Sequence, residues 1–334
     1  MRRTQANSSG AARRISVGFL AVTLLAAGCT SAAGSTAAGG GTSITVAVIP
    51  GTDTAPVMAA AKEGLFRDHG LNVAIKTFDS LKPEIQALKA GSVDIAAGDY
   101  ADFFYETATG KASLHLVADG YDAASNVMEV LSLPGSGITT PQKLVHKVVA
   151  TPEAQLIPSG NGVPYSMETL ATQSVLNSDG VTPTDVTWQP TATKDMISEL
   201  RSGQVSAILA TEPLITEAES ELGAVEVMDS CSGQTAGLPL SGYFSLAAYA
   251  SAHRAQLQQF RLALASAQAN ASTGGSLQAM LPHLTGMTRQ NAALVTLGSY
   301  PTSLSVGQVQ RVADLMLDSG VISTTLSVSK LASS

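Results

Sequence analysis

From Ser43 onward the chain alternates short β-rich runs with helix-patterned runs, and that alternation restricts it to a sheet flanked by helices. "ITVAVIP" is followed by the helically spaced "APVMAAAKEGLFRDHG", which ends at Gly70, and then by a second strand, "LNVAIKTF". The helix "PEIQALKAG" leads to a third strand, "VDIAAG". Strands alternating with helices at this spacing predict a mainly parallel, doubly wound α/β sheet.

The pattern then recurs. "ALKAGSVDIAA" from Ala87 aligns with "ELRSGQVSAIL" from Glu199, matching a helix end, a glycine suited to a left-handed cap, and a strand. "LFRDHGLNV" and "VLNSDGVTP" likewise share a helix end capped by Gly70 and Gly180, with a strand expected after each. Two similar α/β units follow from this. Beyond Gly237 one more strand, "GYFSLAAYA", precedes a mainly helical tail that contains the loop stretch "GSYPTSL". The expected organisation is a first lobe over 44–135 and 238–334 and a second over 136–237, with crossovers near Leu131–Gly137 and Gly233–Ser241 acting as a hinge.

The N-terminus sets the compartment. Arg2, Arg3, Arg13 and Arg14 precede an apolar run from Ile15 to Gly28, the pattern of a secretory signal peptide. At 14 residues the run is shorter than the ~20 needed for a permanent membrane span. "LLAAGC" resembles a bacterial lipobox, although Ala26 stands where that motif usually has leucine, so Cys29 is the expected lipid-attachment residue. Residues 30–43 are small and polar and read as a flexible tether. The expected location is outside the cytoplasm, either lipid-anchored to the outer face of the cytoplasmic membrane or in the periplasm of a bacterial envelope. Loss of residues 1–28 removes those four arginines and takes the formal net charge from −7 to −11, which argues against a nucleic-acid partner. Cys231 is then the only thiol of the folded part, read as a buried inert residue.

Motifs for catalysis or metal binding are absent from the sequence. The five histidines form no HExxH or HxH pair, and GxSxG, GxxxxGK[ST] and GxGxxG do not occur. The expectation is therefore no catalytic residue, no metal and no cofactor.

In open α/β sheets ligands bind outside the carboxyl ends of the strands, which selects particular loops. "PGTDTAP" offers Thr52, Asp53 and Thr54, with plain helix capping as the competing role of Asp53 and Thr54. "FDSLKPE" offers Asp79 and Ser80; "GDYADFF" offers Asp99, Asp102 and Tyr100, whose ring could face the cleft. In the second unit "PSGNGVPYS" offers Ser159, Gly160, Asn161 and Gly162 ahead of a helix start near Val163. "WQPTAT" offers Gln189, and "LATEPL" offers Glu212, which could equally serve as a capping carboxylate.

Taken together, "ITVAVIPGTDTAPVMAAAKEGLFRDHGLNVAIKTFDS", "EIQALKAGSVDIAAGDYADFF" and "LSGYFSLAAYASAHRAQLQQFRLALASAQ" resemble the substrate-binding proteins of ABC transporters in the nitrate/sulfonate/taurine group, which also includes binders of thiamine pyrimidine precursors. The resemblance implies a type II periplasmic-binding-protein fold: two doubly wound mixed sheets joined by two crossover strands, with a helical C-terminal tail. It implies a monomer that closes on a small molecule and docks on a permease driven by its ATPase, held nearby by the lipid on Cys29. Enzymes of thiamine pyrimidine synthesis share the family, but the cysteine-rich motif they rely on is missing here. A ligand-sensing lipoprotein without transport is the other alternative. The candidate loops carry Asp53, Asp79, Asp99, Asp102 and Glu212 and no arginine, so a neutral or cationic heterocycle is favoured over a sulfonate or related anion.

Overall fold

The computed structural model describes residues 42–152, 157, 163, 165–273 and 275–333, all within one compact unit, Gly41–Ser334. The first α/β unit comprises β1 (Thr42–Val48), α1 (Ala55–Glu63), α2 (Leu65–Asp68), β2 (Leu71–Thr77), α3 (Leu81–Lys89), β3 (Ile95–Asp99), α4 (Tyr100–Ala108) and β4 (Leu114–Asp122). The second comprises β5 (Met128–Ser132), β6 (Val148–Pro152), α5 (Met167–Ser178), β7 (Thr187–Thr191), α6 (Thr193–Ser202), β8 (Ala207–Thr211), α7 (Leu214–Leu222) and β9 (Val225–Asp229). The chain returns through β10 (Pro239–Leu246) to α8 (Ala247–Ala252), α9 (Arg254–Ser272), α10 (Ser276–Thr285), α11 (Arg289–Leu294), α12 (Val306–Asp318) and α13 (Val328–Ser333).

The strands form two five-stranded sheets, ordered β2-β1-β3-β10-β4 and β7-β6-β8-β5-β9. In each, three neighbouring strands run parallel, and the fourth position holds an antiparallel strand, β10 returning to the first sheet and β5 opening the second. The sheets are therefore copies of one topology, in which α3–β3 corresponds to α6–β8. That is the correspondence carried by "ALKAGSVDIAA" and "ELRSGQVSAIL", and Gly91 and Gly203 take the same left-handed conformation in both.

One boundary differs from expectation. The passage between sheets falls between β4 and β5, at 123–127, so β5 belongs to the second sheet, although the sequence reading left it in the first lobe and put the crossover near Leu131–Gly137. All five β5 residues are buried, a run that suits the core of either sheet; what assigns it is its antiparallel pairing with β8. The return passage lies between β9 and β10, at 230–238, overlapping the expected Gly233–Ser241.

Burial follows from these layers. Strands covered on both faces read as continuous apolar or small-residue runs, as in β3, where every residue is buried. Leu81, Ile85 and Leu88 recur at helical spacing along α3 and are all buried. Phe244 of β10 stacks on Phe103 at 4.3 Å and meets the edge of Tyr100 at 5.6 Å, which fixes α4 to the first sheet. Phe66 stacks on Phe260 at 5.3 Å and holds α9. The tail reaches both lobes: α12 packs on α4 and β10, α13 on β4, and α11 on α7. Among the described residues no helix is long and apolar enough to cross a membrane.

Candidate functional site

The carboxyl ends of the parallel strands of both sheets converge on one cavity of about 300 Å³. From the first lobe come Gly51–Asp53 after β1, Gly98 and Asp99 at the end of β3, Leu81 and Tyr121. From the second come Met167 and Glu168 at the start of α5, Thr193, and Thr211 and Glu212 after β8. Val127 at the end of the first passage, Met128 at the start of β5, and Leu240 and Ser241 near the start of β10 complete the wall. Parts from both lobes thus enclose one volume.

The loop after β1 is held by Thr54, whose Oγ1 donates to Ile49 O at 2.7 Å and accepts from Gly51 N at 3.1 Å. A Cβ at position 51 would lie 2.6 Å from Asp53 Oδ1, so any larger residue there would displace the Asp53 carboxyl. Asp53 hydrogen-bonds Ser241, and burial, opposed by that bond and reinforced by nearby Glu168, pushes its carboxyl up to about 6. Asp99 caps α4: Oδ1 accepts from Ala101 N at 2.6 Å, while Oδ2 reaches across to accept from Met167 N at 3.1 Å. That second bond is available because Ser166 and Thr169 form a capping box that leaves the Met167 N–H as a free donor at the start of α5.

The cavity is walled by acid. Burial, then Asp102 and Glu168, hold the Asp99 carboxyl well above the usual carboxylate range. Asp102 is raised in the same sense, by burial first and then by Glu168 and Glu106. Asp102 Oδ2 and Glu168 Oε2 are both buried and lack a hydrogen-bond partner among the described residues. Glu212 is better satisfied: Oε2 accepts from Thr216 N at 3.1 Å, and Oε1 from Thr216 Oγ1 and Thr296 N, each at 3.0 Å. Burial still raises its pKa. No lysine or arginine is among the described lining residues, and no cluster of metal-ligating side chains occurs among the described residues.

Of the residues selected from the sequence, Thr52, Asp53, Asp99 and Glu212 line the cavity. Thr54 lies behind it as the loop's internal brace. Asp79 is exposed and off the cavity, and Ser80 occupies the N-cap position of α3 without a side-chain cap bond. Tyr100 is a correction: it is fully buried in the first lobe, with its hydroxyl donating to Asp119 Oδ1 at 2.8 Å. The first residue of α4 points back under the sheet, where Gly242 leaves room for the ring. Gln189 is occupied elsewhere, its Nε2 donating to Glu199 Oε2 at 2.9 Å. Ser159, Gly160, Asn161, Gly162 and Cys29 lie outside the described residues. Helix α5 starts at Met167 and not near Val163. The Ser166–Thr169 capping signature would have placed that start correctly and brought Glu168, which the sequence reading missed, into its first turn. Ser241 and Tyr121 were missed as well, because strand ends that turn into a cleft carry no local mark.

The sequence profile of the NMT1-like family matches residues 37–278. No curated protein matches the chain. Among solved structures, the periplasmic aliphatic sulphonate binding protein SsuA from Escherichia coli superposes with a TM-score of 0.69 at 17% identity, covering 87% of this chain and 97% of that one. The alkanesulfonate-binding protein SsuA from Xanthomonas axonopodis pv. citri, bound to MOPS, gives a TM-score of 0.68 at 18% identity with the same coverage. The desulfurization enzyme DSZB gives 0.62 at 13% identity over 87% of this chain and 96% of that one. These likenesses place the described unit in the two-lobed periplasmic-binding-protein fold.

Proposed function

Since the chain belongs to the NMT1-like family, we propose that it is the extracytoplasmic substrate-binding component of an ABC importer. In this reading it captures a small molecule between its lobes and delivers it to a membrane permease with its ATPase. The observation that carries the reading is the single cavity built jointly from the strand ends of both lobes. Such a site is completed only when the lobes approach, so a ligand that touches both walls shifts the protein toward the approached arrangement. Fold alone does not decide function, since the same architecture is found in a desulfurization enzyme.

The acid wall bears on the ligand. Sulfonate binding belongs to the SsuA proteins named above; here an anion would meet Asp53, Asp99 and Glu168 with no described basic side chain beside them. An ammonium or amidinium group would instead neutralise carboxylates that burial and mutual repulsion now penalise. The proposed ligand is a neutral or cationic heterocycle, at the lower end of the volumes usual for small-molecule sites. Sulfonate and related anions come second. The proposal extends to the segments outside the described residues: secretion by the N-terminal signal and lipid attachment at Cys29 would keep a monomeric binding protein beside its permease.

A thermal-shift screen of the full chain tests the reading against nitrate, taurine, alkanesulfonates, aminopyrimidines, thiamine and simple ammonium ions. A ligand at about 100 times its dissociation constant is expected to stabilise the protein by about 2.7 kcal/mol, without being turned over. Conversion of the stabilising compound to product would move the chain to the enzyme class.

A further inference from the structure

The loop joining α11 to α12 grips both lobes within five residues. Thr296 N donates to Glu212 Oε1 at 3.0 Å, in the second lobe. Gly298 N donates to Tyr121 Oη at 2.5 Å, Ser299 and Asp122 exchange backbone bonds at 2.9 and 3.1 Å, and Tyr300 Oη donates to Thr52 O at 2.7 Å, all in the first lobe. Thr52, Tyr121 and Glu212, which receive these bonds, line the cavity. Gly298 admits no side chain, because a Cβ there would run into Asp122 O and the Tyr121 ring. The loop is thus fitted to the first lobe and hooked to the second.

We propose that Val295–Tyr300 is a strap that positions cavity-wall groups of both lobes and sets how readily the lobes part. Two residues of extended chain reach only about 7 Å, so the attachment at Thr296 and the attachment at Gly298 hold Glu212 close to Tyr121. The lobes cannot separate along this edge until one attachment yields. Four bonds tie the loop to the first lobe and one ties it to the second, so the Thr296–Glu212 bond is the release point. Glu212 then keeps both bonds from Thr216, while the strap stays with the first lobe and continues to fix Tyr121 and Thr52. The Met167–Asp99 bond also crosses between the lobes at the cavity, and it opens in the same movement.

The proposal rests on the interlobe reading of the cavity, but its test uses no ligand, so failure to find a ligand and failure of the strap are separate results. Hydrogen–deuterium exchange is measured on the full chain, on Thr296→Pro, which removes the donor to Glu212, and on Glu212→Ala, which removes the acceptor of the same bond. In Thr296→Pro the Met167 amide is expected to exchange about tenfold faster while the amides of β3 and β8 keep their protection. Glu212→Ala is expected to change Met167 in the same direction by a similar factor, and it carries the test if the proline variant does not fold. An unchanged Met167 amide, or β3 and β8 accelerating by the same factor as Met167, would overturn the proposal, the latter by showing that the loop serves only global stability.

Discussion

Glu84 sits on the buried face of α3, fully excluded from solvent, with Oε1 accepting from Ala97 N at 3.3 Å and Oε2 without a partner among the described residues. Burial, with Asp53 nearby, pushes its carboxyl from 4.5 up to about 8. Asp119 is raised to about 6, and Asp122 and Glu129 to about 7, each chiefly by burial. The sign is the same for all: the folded chain binds protons that the unfolded chain has released. Their contribution to stability is complete below the ordinary carboxylate range and is lost as pH rises through 6 to 8. The melting temperature is therefore expected to fall between pH 5 and pH 8.5. Glu84→Gln, which keeps an acceptor for Ala97 N and cannot ionise, is expected to flatten that fall, with a gain of roughly 2–5 kcal/mol over the parent at pH 8.5. Denaturant melts at the two pH values check it; an equal slope in both proteins would contradict the assignment. None of this was legible in "PEIQALKAG", where Glu84 reads as an ordinary polar helix residue, because its burial comes from the packing of α3 under Gly98 and not from its spacing.

At the scale of elements, the helix and strand order could be read from period and punctuation, and the repeated α–β unit from "ALKAG" and "ELRSG". Both signals are local, and local geometry is what the glycine caps and apolar spacing encode. What could not be read is pairing. β5 and β10 each run antiparallel between strands that are not their sequence neighbours, and no residue in "MEVLS" names its partner. The same holds for Phe244, an unremarkable strand residue in the sequence and in fact the centre of an aromatic group with Phe103, Phe104 and Tyr100. Since that group fastens α4, which begins at the cavity residue Asp99, to the first sheet, Phe244→Ala is expected to cost about 3–5 kcal/mol in a urea melt. A loss below about 1 kcal/mol would mean that α4 is held by other contacts.

For the whole molecule, two lobes of one topology face each other across their strand ends, joined by two passages and bridged by the α11–α12 loop. The cleft was foreseeable from the rule that strand carboxyl ends carry sites, and that rule found Thr52, Asp53, Asp99 and Glu212. It missed Glu168 because the start of α5 was expected near Val163, and Ser241 because it lies on the return strand that pairs back into the first sheet. Together these residues make an acid-walled volume with no described basic side chain, and the proposed ligand supplies the positive charge. The most direct test is calorimetric titration of the full chain at pH 7 with a matched pair, the ring compound that stabilises it best in amine form and the same ring bearing a sulfonate. The protonated amine is expected to bind, releasing protons from the raised carboxyls, and the sulfonate to bind at least a hundredfold more weakly, about 2.7 kcal/mol. A sulfonate that binds as tightly as the amine, or tighter, would contradict it.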